Sequence, residues 1–189
     1  MTFPACLRPS FARLVMVFLG SAPGLSSLMA AGDEPHPVPS PAPAAITDQR
    51  RATIEALREL DRFLDHHPLI EVDLRLESCL LESPAYVERH PALHQFLTTN
   101  PEVGPVLQTE PRHLLRRALR REANTPLRWS DVIRLDAFFD QNAAVEQQLV
   151  RNPALILTPG FLAAEPKLRE FLAQDAALAR GFLPAASTP

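Results

Sequence analysis

The chain has 189 residues, with 19 Lys and Arg against 22 Asp and Glu and a formal net charge of −3. That balance excludes a dedicated nucleic-acid binder, which carries a basic excess, and an aromatic content of 6% excludes a base-stacking platform. Only 6 glycines stand against 20 prolines; neither GxGxxG nor GxxxxGK[ST] occurs, so the glycine-rich phosphate loops are missing as well.

Residues 1–31 read as an export signal. Arg8 and Arg13 are the only charges before Asp33. Leu14 to Leu19 is apolar, Gly20, Pro23 and Gly24 interrupt, and Leu25 to Ala31 resumes and ends in small residues. An uncleaved anchor over residues 14–31 is the competing reading. Spanning a bilayer takes about 20 apolar residues, and here the Pro-Gly break intervenes. Cleavage would leave 17 of the 19 basic residues, because Arg8 and Arg13 would go with the signal. Cys79 would then be the single cysteine, read as a small buried apolar side chain. CxxC is absent, which removes thioredoxin-like and c-type haem roles. Either reading makes the protein an exported one, of the periplasm or cell envelope if the cell is bacterial.

Residues 32–46 read as a Pro-rich linker without a core. Pro35, Pro37, Pro39, Pro41 and Pro43 alternate with other residues and favour an extended chain. Residues 47–184 read as one helical domain, followed by a disordered tail at 185–189. Leu, Ala, Arg, Glu and Gln dominate there, and β-branched runs are missing. Prolines recur at 68, 84, 91, 101, 111, 153, 159 and 166. Each opens a short apolar-periodic run, because proline suits the first helical position and pushes its predecessor out of the helix. The spacing predicts helices at 48–66, 68–76, 84–89, 91–99, 101–109, 111–123, 129–141, 143–151, 159–164, 166–174 and 176–182. Ser83, Asn100, Asn152 and Thr158 are the expected N-caps.

The domain carries an internal repeat. A shift of 75 residues lays 60–107 on 135–182 without a gap and matches 12 of 48 positions. Leu60/Leu135, Asp61/Asp136, Asp65/Asp140, Glu71/Glu146, Pro84/Pro159, Pro91/Pro166 and Phe96/Phe171 are among them. Core apolar residues and corner prolines are what a duplicated structural unit retains. Repeat 1 covers about 48–110, a basic connecting helix 111–123, and repeat 2 about 124–183. The two copies could face each other or stack as turns of a small solenoid.

The strings FLDHHP (63–68), SPAYVERHPALHQFL (83–97) and NPEV (100–103) resemble a group of exported bacterial proteins built from Pro-punctuated HPxLxxFL helices. The resemblance covers about 60–110 and implies an exported α-helical domain. It brings no catalytic residue, cofactor or partner. The second copy departs from it, with Gln141-Asn142-Ala143 in place of His66-His67-Pro68.

Three groups of residues could carry chemistry. His90 and His94 are four apart, a spacing that can share a metal ion on one helix face. Pro91 places His90 at the cap and off that face, and no third ligand is fixed. The positions 75 residues later are Glu165 and Arg169, so these histidines, with His66 and His67, read as surface or cap residues. Asp61 and Asp65 share a helix face, and paired carboxylates about 5–9.5 Å apart serve glycoside hydrolysis. Their recurrence at 136 and 140, with Glu71 at 146, fits capping or pairing with arginine better. The basic run holds Arg112, Arg116, Arg117, Arg120 and Arg121. It reads either as a contact for an acidic partner or anionic surface, or as an exposed helix paired with Glu77, Glu82 or Asp131. Trp129 opens a helix and packs at the repeat junction. GxSxG, SxxK and HExxH are absent, so no catalytic, cofactor or metal residue is assigned.

These observations point to an exported all-α protein of short Pro-initiated helices. The expected role is a non-enzymatic interaction or structural module with an envelope protein as partner. No nucleic-acid partner is expected, and membrane contact only through an uncleaved N-terminus or the basic helix. A small-ligand or metal-binding, chaperone-like protein is the alternative.

Overall fold

The computed structural model describes residues 43–184. The signal or anchor at 1–31, residues 32–42 of the expected linker and the tail at 185–189 lie outside the described residues. Eleven α-helices, two 3₁₀ turns and no strand occur among those described, so the chain is all-α there. None of these helices is long and apolar enough to cross a membrane.

α1 runs Pro43–His66. It starts inside the segment read as linker, because Pro43 suits a first helical turn and Ala44 and Ala45 are strong helix formers. α2 (Pro68–Leu76), α3 (Pro84–Arg89), α4 (Pro91–Thr99), α9 (Pro159–Ala164) and α10 (Pro166–Gln174) each open on the expected proline. α5 (Val103–Thr109) and α6 (His113–Glu122) start two residues later than expected. At both starts a turn comes first: Val103 N–H donates to Asn100 O and His113 N–H to Glu110 O. α7 (Trp129–Phe139), α8 (Ala143–Arg151) and α11 (Ala176–Phe182) complete the set. The 3₁₀ turns Ser78–Glu82 and Pro153–Leu157 fill stretches left without an element in the sequence reading. α2, the first turn, α3 and α4 have the lengths of α8, the second turn, α9 and α10, at a constant separation of 75 residues.

Ser83, Asn152 and Thr158 occupy N-cap positions, but none caps with its side chain. The corners are so tight that each residue also ends the preceding element. Asn100 ends α4, and its Nδ2 donates back to Phe96 O at 3.0 Å. Thr158 Oγ1 likewise turns back to Ala154 O. Backbone carbonyls open the next helix instead: Ser83 O accepts from Tyr86 and Val87 N–H, both at 3.0 Å. Asp175 does cap with its side chain, taking the Ala177 and Leu178 amides at 2.8 and 3.1 Å. Cys79, expected in the core, is only half-buried on its 3₁₀ turn.

The contacts described from here on belong to the unit that begins at Arg50. Helices this short are not stable alone, and two apolar cores hold them. One gathers Leu60, Leu64, Ile70, Leu74, Leu93 and Leu107 with Leu114 of α6. The other gathers Leu135, Phe139, Leu149, Ile156, Leu168 and Phe182 with Leu115 and Leu119 of α6. α2 packs on α8, its counterpart 75 residues on, and Arg75 donates to Val150 O there. α6 packs on α2, on α7 and on the second 3₁₀ turn. It is buried from His113 through Leu119 although five of its ten residues are His or Arg.

Candidate functional site

α6 resolves that contradiction by giving each longitudinal row a different partner. Residues four apart share a helix face. Leu114 enters the first core, and Leu115 and Leu119 enter the second. The remaining two rows are cationic, and each meets one set of the recurring acids.

His113, Arg117 and Arg121 face the first set. His113 Nε2 lies 2.9 Å from Asp61 Oδ1. Arg117 reaches Asp65, with Asp61 Oδ1 and Glu71 Oε2 each 3.3 Å from its guanidinium. Arg121 donates to Glu71 Oε2 at 2.7 Å. Arg112, just ahead of the helix, and Arg116 face the second set. Arg112 grips Glu146 with two bonds of 2.8 and 3.2 Å and Asp140 with one of 2.6 Å, a forked geometry that suits guanidinium. Arg116 lies 3.5 Å from Asp136 and donates to Glu110 at 2.8 Å. The third residue of this row differs: Arg120 donates to Leu127 O at 3.1 Å and lies over the Trp129 ring at 4.7 Å. Trp129 also stacks on His113 of α6 at 4.9 Å.

Burial sets the electrostatics. Arg117 loses hydration, which disfavours its charge, but the Asp65 hydrogen bond and the nearby Glu71 and Asp61 outweigh that and raise its pKa. The Glu146 hydrogen bond raises Arg112 most, against the desolvation that burial costs. Asp136 is held above the usual carboxylate range by burial, which Arg116 and Arg112 only partly offset. Its Oδ1 and the Nε atoms of Arg116 and Arg117 are buried without a hydrogen-bond partner. The two Nε atoms have opposite charges in Coulombic range, Asp136 Oδ2 at 3.5 Å and Glu71 Oε2 at 3.3 Å, but misaligned for a bond.

The five nominated arginines are therefore brought together, but into the protein. Arg116 and Arg117 are each 8% exposed, while Arg121 remains open to solvent. Their carboxylate partners are the recurring acids and Glu110, not Glu77, Glu82 or Asp131. Asp131 instead takes the Arg128 backbone N–H at 2.9 Å, which leads the lowering of its pKa, and Arg134 at 2.7 Å. Asp61, Asp65 and Glu71 each hold cations of α6, so pairing with arginine is the role found for them.

The histidines stay apart. His90 is the N-cap residue of α4, off the helix face, with Nδ1 2.8 Å from Tyr86 O. His66 Nδ1 lies 2.9 Å from Arg62 O, and the His67 ring lies against Phe63. No group of three metal-ligating side chains occurs among the described residues. A second polar pair was not anticipated: buried Tyr86 donates to Asp73 Oδ2 at 2.9 Å, and burial first, then that bond, raises its pKa.

Among the described residues, α2 carries an aligned stripe of exposed apolar side chains. Leu69, Val72 and Leu76 are 81, 40 and 43% exposed. They recur at helical spacing on the face of α2 opposite its buried Ile70, Glu71 and Leu74. The chain matches no protein family, no curated protein and no solved structure.

Proposed function

We propose that this protein is a non-enzymatic interaction module of the bacterial periplasm or cell envelope, exported by residues 1–31 and built from two copies of one unit. The observation that carries the reading is the Leu69, Val72 and Leu76 stripe on α2. Exposed apolar residues aligned on one helix face mark a contact surface, whereas scattered ones are ordinary. The candidate acids support the same reading, since Asp61, Asp65 and Glu71 neutralise cations of α6. The shared 75-residue spacing of helices and acids supports the duplication. The apolar leader and the likeness to exported HPxLxxFL proteins support export.

Photo-crosslinking in cells tests the reading, with the reactive side chain at position 72 of the tagged full chain. One recurrent envelope protein is expected, and Leu69→Asp should abolish its capture. The same capture from position 169 would move the contact off α2. Cross-links only between copies of the chain would replace the partner by self-assembly.

A further inference from the structure

A cavity of about 450 Å³ opens between the 124–128 segment and α11. That volume lies within the range of small-ligand sites, roughly 300–1,000 Å³. Thr125, Leu127, Arg128, Asp131, Ala177 and Arg180 line it. Its charges are unlike those of the α6 network. Arg128 and Arg180 are exposed; neither makes an ion-pair contact among the described residues, although Arg128 lies close enough to Asp131 to help lower that carboxyl's pKa. The acids nearby are already engaged. Asp131 is held by Arg134 and the Arg128 amide, and Asp175 by Arg134 and two amides of α11. Two guanidinium charges thus line a cleft whose apolar lining is Pro126, Leu127 and Ala177.

The walls are fixed in place. Asn124 N–H donates to Gly181 O at 2.8 Å and ties the 124–128 segment to α11. A Cβ at Gly181 would lie 3.0 Å from Leu127 Cδ1, so the glycine is what lets the two walls close up. The cavity also falls outside the repeat pattern. Seventy-five residues before Ala177 and Arg180 stand Glu102 and Pro105. The duplicated scaffold does not require this chemistry.

We infer that this cleft binds a small organic dianion, its charged groups on Arg128 and Arg180 and its carbon chain on Leu127 and Ala177. Guanidinium forks match carboxylate and phosphate oxyanions, so a dicarboxylate and a phosphate monoester share the required chemistry. The inference stands apart from the α2 contact surface, because the two lie on different helices and use different residues.

Calorimetric titration of the full chain with malonate, succinate, glutarate and glycerol 3-phosphate tests it. Saturable binding of at least one dianion is expected, and the preferred probe identifies the source of the anion. Arg128→Ala and Arg180→Ala should each weaken binding about tenfold or more, since each removes a charge-assisted hydrogen bond. Arg169→Ala, an exposed arginine elsewhere, should change it by less than about twofold because distant surface charges are screened. All three positions are exposed, and circular dichroism checks that the variants fold. Binding of none of the four probes overturns the inference. So does binding that survives in the double variant, or that Arg169→Ala weakens equally.

Discussion

Positions 75 residues apart occupy matching helices, yet the two cores differ in depth. Phe138, Ile156, Leu162 and Leu172 are buried, while Phe63, Leu81, Val87 and Leu97 at the corresponding places are half-buried. The connecting helix explains part of this. α6 commits Leu115 and Leu119 to the second core and only Leu114 to the first. Larger side chains explain more, since Phe139 and Phe182 stand where the first half has Leu64 and Leu107. One reversal is instructive: Tyr86 is buried with its hydroxyl on Asp73, whereas Phe161 is half-buried. Matching helix boundaries therefore do not set core depth. The size of the core side chains and what the connecting helix adds to each side do.

The sharpest way to break this comparison is to cut one matched core position in each half. Phe139→Ala should cost about 3–5 kcal/mol, as for a fully buried aromatic. Leu64→Ala should cost less, at about 2–3 kcal/mol, because fewer buried atoms are lost. Urea denaturation reads both, and a larger loss from Leu64→Ala would reverse the ranking of the halves. A second cut separates the two charge sets. The Arg117 side chain is 9% exposed and that of Arg112 is 22% exposed. Arg117→Ala should therefore cost about 3 kcal/mol, because it removes the buried cation shared by Asp61, Asp65 and Glu71 and leaves Glu71 with Arg121 alone. Arg112→Ala should cost about 1–2 kcal/mol, since Asp140 and part of Glu146 can rehydrate. Equal losses would mean that burial does not distinguish them. The smallest effects come from glycines. Gly181→Ala meets Leu127 and should cost about 1 kcal/mol of overpacking. Gly104→Ala in the first half has nothing within 4 Å and should stabilise by up to about 1 kcal/mol. Thermal melts of the two variants should shift in opposite directions.

Much of this fold is legible because proline marks it. Pro68, Pro84, Pro91, Pro159 and Pro166 each fix a helix start, and Leu93 or Leu168 two residues on identifies the buried face. The first 3₁₀ turn was not legible, since Ser78–Glu82 is too short to show a period and has no distinctive start, whereas the second showed its start at Asn152-Pro153 but not its type. The partners of α6 were legible only in part. Nearby acids such as Glu77 looked available, but Arg117 meets Asp65 across 52 residues and Arg112 meets Glu146 across 34. The usable signal was the recurrence of three acids at one offset. It showed that they share a task, without showing which row of α6 performs it. The Arg128 and Arg180 cavity gave no signal, because these two residues come from a loop and a helix, 52 positions apart, and form no pattern within either.

The wiring of α6 also imposes an order in time. The chain is made from its N-terminus, so Asp61, Asp65 and Glu71 already exist when Arg117 appears, and the first core is sealed once Leu114 arrives. Arg112, Leu115 and Leu119 must then wait, and Arg116 has only Glu110, because Asp136, Asp140, Glu146 and the apolar side chains of the second core have not been made. A product that stops before Trp129 would lack the α8 on which α2 packs and would leave Leu115, Leu119 and Arg112 without the partners that receive them. Incomplete chains would thus carry a sticky, cationic end that the full-length chain conceals, a mark by which quality-control proteases could tell them apart.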